Sequence, residues 1–323
     1  PALSCYRAPR WLPGGHAQTL YPLLIQPDPL PYHRQRWETP DGDFIDLDWN
    51  LVPSSTLDGR PLLVLFHGLE GSSGSYYAST LMHAVTGIGW AGVVVNFRGC
   101  SGESNRLPRA YHSGDSDEID WILRRLQASF PGYPRYAVGV SLGGNALLKW
   151  LGEREKAATD TLRAAAAISA PLDLAACGHA LASGFNRLYT RHFLYTLKRH
   201  AADKLRRYPG LFDERRMRAA RNLHEFDEIV TAPLHGFAGA DDYWRRASSK
   251  PWLPGIRLPT LLLNAQNDPF LPAQTLPTVH QVAASVQIEF PRQGGHVGFV
   301  TGPLPGRLDW LPQRILDYFQ HEV

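Results

Sequence analysis

The sequence predicts an α/β fold: a mostly parallel central sheet flanked by helices, with a helical insertion late in the chain. Three observations predict it. Short, wholly apolar runs such as "LLVLF" (62–66) and "GVVVNF" (92–97) are of the kind buried on both faces of a parallel sheet. Segments of helical period lie between such runs, and strand–helix alternation implies parallel strands covered on both sides. The rhythm breaks over 171–258, a stretch rich in Arg, His and aromatic residues that reads as several helices, and then resumes.

In chain order, "RQRWET" (34–39) and "FIDLDW" (44–49) are two strands joined by the turn signal Pro40-Asp41-Gly42. "LLVLF" is the first wholly buried strand, "YYASTLMHAV" (76–85) a helix, and "GVVVNF" the second buried strand. "DEIDWILRRL" (117–126) places Ile119, Ile122, Leu123 and Leu126 on one helical face. "RYAVGV" (135–140) is the next strand, "NALLKWL" (145–151) a helix and "AAAAIS" (164–169) a weaker strand. After the insertion come the strands "TLLLN" (260–264) and "VQIEF" (286–290) and a closing helix, "RLDWLPQRILDYF" (307–319). The expected organisation is therefore a core of 1–170 and 259–323 with a helical cap, 171–258. An insertion between strands of an open sheet most simply sits above the sheet's carboxyl edge, where ligands bind.

Composition narrows the function classes. The 323 residues are 44% hydrophobic and 20% charged, enough for a sizeable core. A formal charge of +3, from 33 basic and 30 acidic side chains, gives no ground for a nucleic-acid partner. Cys5, Cys100 and Cys177 are odd in number and far apart, which suggests neither a disulfide framework nor a thiolate metal site and fits a reducing cytosol. The N-terminal stretch has no signal-peptide run, and nowhere do 18 apolar residues run together. A cytoplasmic protein with no transmembrane segment is the expectation.

The chemistry starts at Gly139-Val140-Ser141-Leu142-Gly143. Three fixed residues at about 7% usage recur by chance in roughly one chain of this length in ten, so the surroundings must decide. Ser141 falls directly after a buried strand and before a helix, the context of a Gly-x-Ser-x-Gly elbow. Such a turn forces the serine into a sparsely allowed conformation, at about 1–3 kcal/mol. Gly139 and Gly143 then avoid collisions with the facing strand or helix. A hydroxyl needs a base, and the base an orienting acid, both from loops after later strands. Asp268 in "NAQNDPF" follows one such strand. His296 in "RQGGHVGF" follows the last, beside two glycines that permit a tight turn. Asp241 and Asp242 in "AGADDYW" are rival acids that read better as helix caps. The oxyanion donors are the N–H of Leu142, directly after the nucleophile, and that of Leu69 in "HGLEGSSGSYY", where Gly68 and Gly71 let the backbone turn sharply. His67 and Glu70 read as residues that fix this loop, Arg98 as half of a structural ion pair and Cys100 as packing. No His-x-x-x-His zinc helix, dinucleotide fingerprint or P-loop occurs, and neither metal nor cofactor is called for.

The stretches "HGLEGSSGSYY", "NFRGCSGESNRLPRAYHSGDSDEI", "GVSLGGNALLKWLGE", "NLHEFDEIVTAPLHGF", "DYWRRASS" and "GGHVGF" together resemble the YheT-type branch of the α/β-hydrolases, with the match beginning at "LPGGHAQTL". This branch is related to the abhydrolase-domain lipases and the yeast medium-chain ethanol acyltransferases. The resemblance implies the α/β-hydrolase fold and a Ser–Asp–His triad at Ser141, Asp268 and His296. It also implies hydrolysis of carboxylic esters, or acyl transfer to an alcohol, with lipid-like or medium-chain acyl groups. Some eukaryotic members begin with a membrane-anchoring helix, which this sequence does not contain. The fold hosts many chemistries, so thioesterase, amidase and non-catalytic binding readings stay open. The inserted "RHFLYTLKRHAADKLRRYPGLFDERRMRAAR" is basic, with Phe193, Leu194, Leu197 and Ala201 at helical spacing. It reads as a lid helix, with weak peripheral association with anionic lipid as the sharper idea. Tyr243, Trp244 and Trp252 read as packing anchors rather than acyl-pocket walls.

Overall fold

The computed structural model describes residues 6–28, 30–53 and 59–323. Its strands are β1 (His33–Glu38), β2 (Phe44–Trp49), β3 (Leu62–Phe66), β4 (Ala91–Asn96), β5 (Arg135–Val140), β6 (Ala164–Ile168), β7 (Thr260–Leu263) and β8 (Val286–Glu289). They form one sheet in the order β1-β2-β4-β3-β5-β6-β7-β8. The pairs β1/β2 and β2/β4 are antiparallel, and the remaining neighbours run parallel. The first hairpin turns at Gly42, whose φ of 84° suits a residue without a Cβ.

Side chains alternate across a strand, and here both sides are covered. Leu62, Val64 and Phe66 pack with Ile119, Ile122 and Leu147 from α3 (Ser116–Ser129) and α4 (Leu142–Arg154). Leu63 and Leu65 pack on the opposite face with Leu81, Met82 and Ile315, which come from α2 (Tyr76–Gly87) and α11 (Trp310–His321). This double burial is why "LLVLF" carries no polar residue. Near the N-terminus, α1 (Gly15–Leu20) is a short helix whose residues recur at the site.

Between β6 and β7 the chain forms α5 (Leu174–Leu181), α6 (Arg187–Arg207), α7 (Glu214–Ala219), α8 (Leu223–Phe226), α9 (Ala232–Leu234) and α10 (Ala240–Ala247). A π-helical turn, Asp227–Thr231, joins α8 to α9. Leu194 and Ala201 of α6 pack with Met217, Phe226 and Val230 into a small core of their own. Buried Asn145 on α4 ties these helices to the sheet. Its Nδ2 donates to the Ser113 and Ala247 carbonyls at 2.8 Å each, and its Oδ1 accepts from Ser249 N–H at 2.9 Å.

The expected elements differ from the observed ones mainly at their ends. β4 stops at Asn96 rather than Phe97, whose N–H leaves the ladder to donate to His67 Nε2 at 3.0 Å. α4 starts at Leu142, three residues earlier than its apolar run suggests. Gly143 and Gly144, poor helix formers, fill its first turn because nothing larger fits: a Cβ on Gly143 would lie 2.4 Å from the Phe66 carbonyl oxygen.

Candidate active site

Ser141 stands at the junction of β5 and α4 with φ 51° and ψ −119°, a region an L-residue enters only at a cost of about 1–3 kcal/mol. Tight packing holds it there. A Cβ on Gly139 would lie 2.5 Å from the Gly143 carbonyl oxygen, and one on Gly68 would lie 3.1 Å from Ser141 Cβ. Ser141 N–H donates to the Ile168 carbonyl at 2.8 Å, while its own carbonyl accepts from Asn145 N–H at 3.0 Å. The side chain is thereby lifted out of the sheet's carboxyl edge, over the N-terminus of α4, where partial positive charge collects.

The loops after β7 and β8 bring their side chains to the same place. His296 Nε2 is 3.0 Å from Ser141 Oγ, and His296 Nδ1 is 2.7 Å from Asp268 Oδ2. Asp268 is 5% exposed, and its Oδ1 accepts from Phe270 N–H at 2.8 Å. With Nδ1–H donating to the carboxylate, Nε2 is left to accept a hydrogen bond from the Ser141 hydroxyl. The Phe270 ring lies 4.2 Å from the imidazole, centroid to centroid, and shields it. Asp241 and Asp242 lie elsewhere, in the first turn of α10: Asp242 accepts from Ala238 N–H and Asp241 pairs with His224.

Leu69 and Leu142 line one cavity together with Ser141 and His296. Leu142 is the first residue of α4, so its N–H has no intrahelical partner. Leu69 sits in a turn closed by Gly71 N–H donating to the Gly68 carbonyl at 3.0 Å. The neighbouring N–H groups are engaged: Gly68 donates to Tyr77 Oη, Glu70 to Tyr111 Oη and Ser73 to Asn96 Oδ1. His67 fixes the loop's base. Its Nδ1–H donates to the Gly68 carbonyl at 2.7 Å and its Nε2 accepts from Phe97 N–H. Complete burial pushes its pKa down to about 4, so the ring is neutral.

The cavity, of about 170 Å³, runs from Ser141 between the sheet edge and the inserted helices, with Leu174, Phe193, Leu197, Phe226 and Val230 among its mainly apolar walls. Tyr243 and Trp244 also line it, so they are walls as well as packing anchors; Trp252 packs instead against Gly152. Arg98 is buried in an acidic net, 2.7 Å from Glu118, 2.8 Å from Asp41 and 3.2 Å from Asp43. Cys100 and Cys177 are free thiols, both pushed upward in pKa by burial; Cys5 lies outside the described residues. Among the described residues no group of three or more His, Cys, Asp or Glu is arranged to hold a metal ion, and no helix is long and apolar enough to cross a membrane.

One set of residues was missed from sequence. Gln18, in the "GGHAQTL" of α1, is fully buried and braces both later loops. Its Oε1 accepts from Asn267 Nδ2 and from Gly294 N–H, each at 2.9 Å. Thr19 Oγ1 accepts from His296 N–H at 2.9 Å. A Cβ on Gly15 would lie 2.0 Å from the Asn267 carbonyl oxygen. The signal was a glycine pair followed by polar residues in a segment too short to form a core of its own.

A mostly parallel sheet with a serine on a strained strand–helix turn, followed in sequence by an acid and a histidine, defines the α/β-hydrolase class. The chain belongs to the α/β hydrolase fold family, whose sequence profile matches residues 61–303. It is similar to YheT of Escherichia coli (strain K12), provisionally named an esterase, with 44% identity over 94% of this chain and 89% of that one. It is also similar to the human phospholipase ABHD3, with 31% identity over 97% of this chain and 78% of that one. Among solved structures, Est1E from Butyrivibrio proteoclasticus superposes with a TM-score of 0.56 at 13% identity, covering 88% of this chain and 97% of that one. The chain is thus an esterase/lipase-type member of its family.

Proposed function

We propose that this protein is a serine hydrolase that cleaves carboxylic esters through an acyl-enzyme. The observation that carries the reading is the unbroken relay from Asp268 Oδ2 through His296 to Ser141 Oγ, with steps of 2.7 and 3.0 Å. Ser141 Oγ attacks the ester carbonyl as His296 Nε2 takes its proton, and Asp268 holds the tautomer and stabilises the imidazolium. The N–H groups of Leu69 and Leu142 receive the oxyanion; losing one such donor typically costs about 2.7–4 kcal/mol. The imidazolium returns the proton to the departing alcohol. Water, deprotonated by His296, then releases the carboxylic acid and restores the serine.

The inserted helices, residues 171–258, act in this reading as a cap over the sheet's carboxyl edge, and the apolar cavity beneath them suits lipid-like or medium-chain acyl groups. A lipid surface is the source of such substrates. On α6, Leu188 and Tyr195 are exposed at 54% and 68% in line with Arg191 and Arg199, a face suited to weak docking on anionic lipid.

A fluorophosphonate probe tests the reading. Wild type labels, Ser141→Ala does not, and a p-nitrophenyl ester series gives higher kcat/KM for medium than for acetyl chains. An unlabelled wild type would overturn it. Product analysis with added ethanol separates hydrolysis from acyl transfer on the same triad.

A further inference from the structure

We propose that the inserted helix α6 sets the oxyanion loop through Glu70, with Tyr111 and His200 as positioning residues. This rests on the serine-hydrolase reading, since it concerns the donor assigned there to Leu69.

Glu70 follows Leu69 in the turn and has φ 55°. A non-glycine residue persists in that conformation only where its surroundings over-determine it. Here they do so from two sides. The Tyr111 hydroxyl accepts from Glu70 N–H and donates to Glu70 Oε1, both at 2.8 Å. Tyr111 is itself fixed by stacking on Phe97, at 5.3 Å and 8° between ring planes. On the other oxygen, His200 Nδ1 of α6 lies 3.0 Å from Oε2, close enough for an ion pair yet off the line of a hydrogen bond. The Glu70 side chain is only 8% exposed and borders the cavity. Although burial raises its pKa, His200, Tyr111 and Thr196 outweigh burial and hold the carboxyl below its ordinary range. His200 and Thr196 stand one helical turn apart on α6.

The consequence is a mechanical link. While α6 is seated, Glu70 is clamped at both oxygens and at its N–H, and the preceding peptide presents Leu69 N–H beside Ser141. When α6 lifts, the carboxylate loses its His200 partner, the strained residue relaxes, and the donor turns away. Seating of the inserted helices and assembly of the oxyanion hole become one event, which couples substrate enclosure to catalytic competence.

Glycine adopts a left-handed φ without strain, which makes the test specific. Kinetics with p-nitrophenyl butyrate and inhibition by a trifluoromethyl ketone, which mimics the oxyanion, are measured for Glu70→Ala, Glu70→Gly and His200→Ala. Glu70→Ala lowers kcat by about 10²–10³-fold with KM within about twofold, and weakens the ketone by the same factor, as for loss of an oxyanion donor. Glu70→Gly stays within about fivefold of wild type because the turn is kept without the clamp. His200→Ala lowers kcat about five- to tenfold, and adds nothing in the Glu70→Gly background. Equal damage in Glu70→Ala and Glu70→Gly would overturn the proposal, since the carboxylate would then act on substrate directly. So would wild-type kcat in Glu70→Ala. Should Glu70→Ala fail to fold, Glu70→Gly with and without His200→Ala decides. Fluorophosphonate labelling of the wild type, run alongside, tests the underlying reading separately.

Discussion

Replacing Gln18 by leucine tests whether α1 braces the loops that carry Asp268 and His296. The side chain has no exposed surface, so water cannot take over its bonds. Leucine fills a similar volume but strands two donors, Asn267 Nδ2 and Gly294 N–H, and one acceptor, the Leu12 carbonyl, all bonded at 2.9 Å in the native protein. Asn267 is half-buried, whereas Gly294 N–H and the Leu12 carbonyl are buried. At about 1–3 kcal/mol for each buried group left unpaired, the loss is about 2 kcal/mol even at the low end. For a chain of 323 residues, with about 2.1 cal/mol/K of unfolding entropy per residue, that predicts a melting temperature lower by about 3 °C or more. The kinetic effect is separate. Asn267 directly precedes Asp268, and Gly294 lies two residues before His296, so both members of the relay lose their footing. A misplacement on the order of 1 Å at a reacting group costs about 10²-fold, and kcat should fall by about 10–100-fold with KM nearly unchanged. Gln18→Glu keeps the accepting oxygen but turns a second oxygen toward the Leu12 carbonyl. It should lose comparable stability yet retain more of kcat. Calorimetry and ester kinetics on the two variants check this. A leucine variant that melts within about 1 °C of wild type with undiminished kcat would refute the bracing role.

Two further expectations follow from charge. His67 and His112 are both held near pKa 4 by burial, below the 6.5 of the unfolded chain. The unfolded state therefore binds more protons between pH 6.5 and 4, and stability present above pH 6.5 is lost as pH falls. Each ring contributes about 2 kcal/mol of loss between pH 7 and pH 5, so His67→Gln should flatten the dependence of the urea midpoint on pH. An unchanged slope would refute the assignment. At the lipid surface, wild type should co-sediment with anionic vesicles at low salt and release as salt rises. Leu188→Glu with Tyr195→Glu should abolish binding while leaving soluble-ester kcat intact, and wild-type binding in that double variant would refute docking through α6.

The central strands were legible because burial on both faces leaves mostly apolar residues to use: "LLVLF" coincides with β3 to the residue, and so does "RYAVGV", apolar after Arg135 and Tyr136, with β5. The serine turn was legible for a related reason: the glycines on either side are demanded by backbone contacts closer than any Cβ allows. What the sequence concealed depends on distance along the chain. Nothing local connects Gln18 with Gly294, 276 residues away, or Glu70 with His200 across the inserted helices. Tyr243 and Trp244 were hard to sort for another reason, because a large aromatic that packs between helices can present its other side to a cavity, and both do. Their spacing carries only the first role.

Backbone strain shows how these separate segments act together. Among the described residues, six other than glycine have positive φ, and five of them adjoin the site: Glu70, Ser141, Ser169, Val297 and Phe299. Each stands just past a strand's carboxyl end or in the His296 loop, where the chain must turn abruptly to present a side chain or an N–H to the same small volume. Val297 is β-branched, the kind of residue for which such a φ is a genuine outlier. Its N–H donates to Ser169 Oγ at 3.1 Å and its carbonyl accepts from the Tyr76 hydroxyl at 3.2 Å. Conformations that each cost on the order of 1–3 kcal/mol would relax in isolation. They persist because Glu70, Ser141, Ser169 and Val297 are hydrogen-bonded to elements remote in sequence, while Phe299 donates its N–H to the Gly294 carbonyl of its own loop and packs its ring against Tyr6. Placing the strain at the strand ends leaves the strands themselves regular and well packed, while the Ser141 and His296 side chains are held where relaxed loops would not hold them.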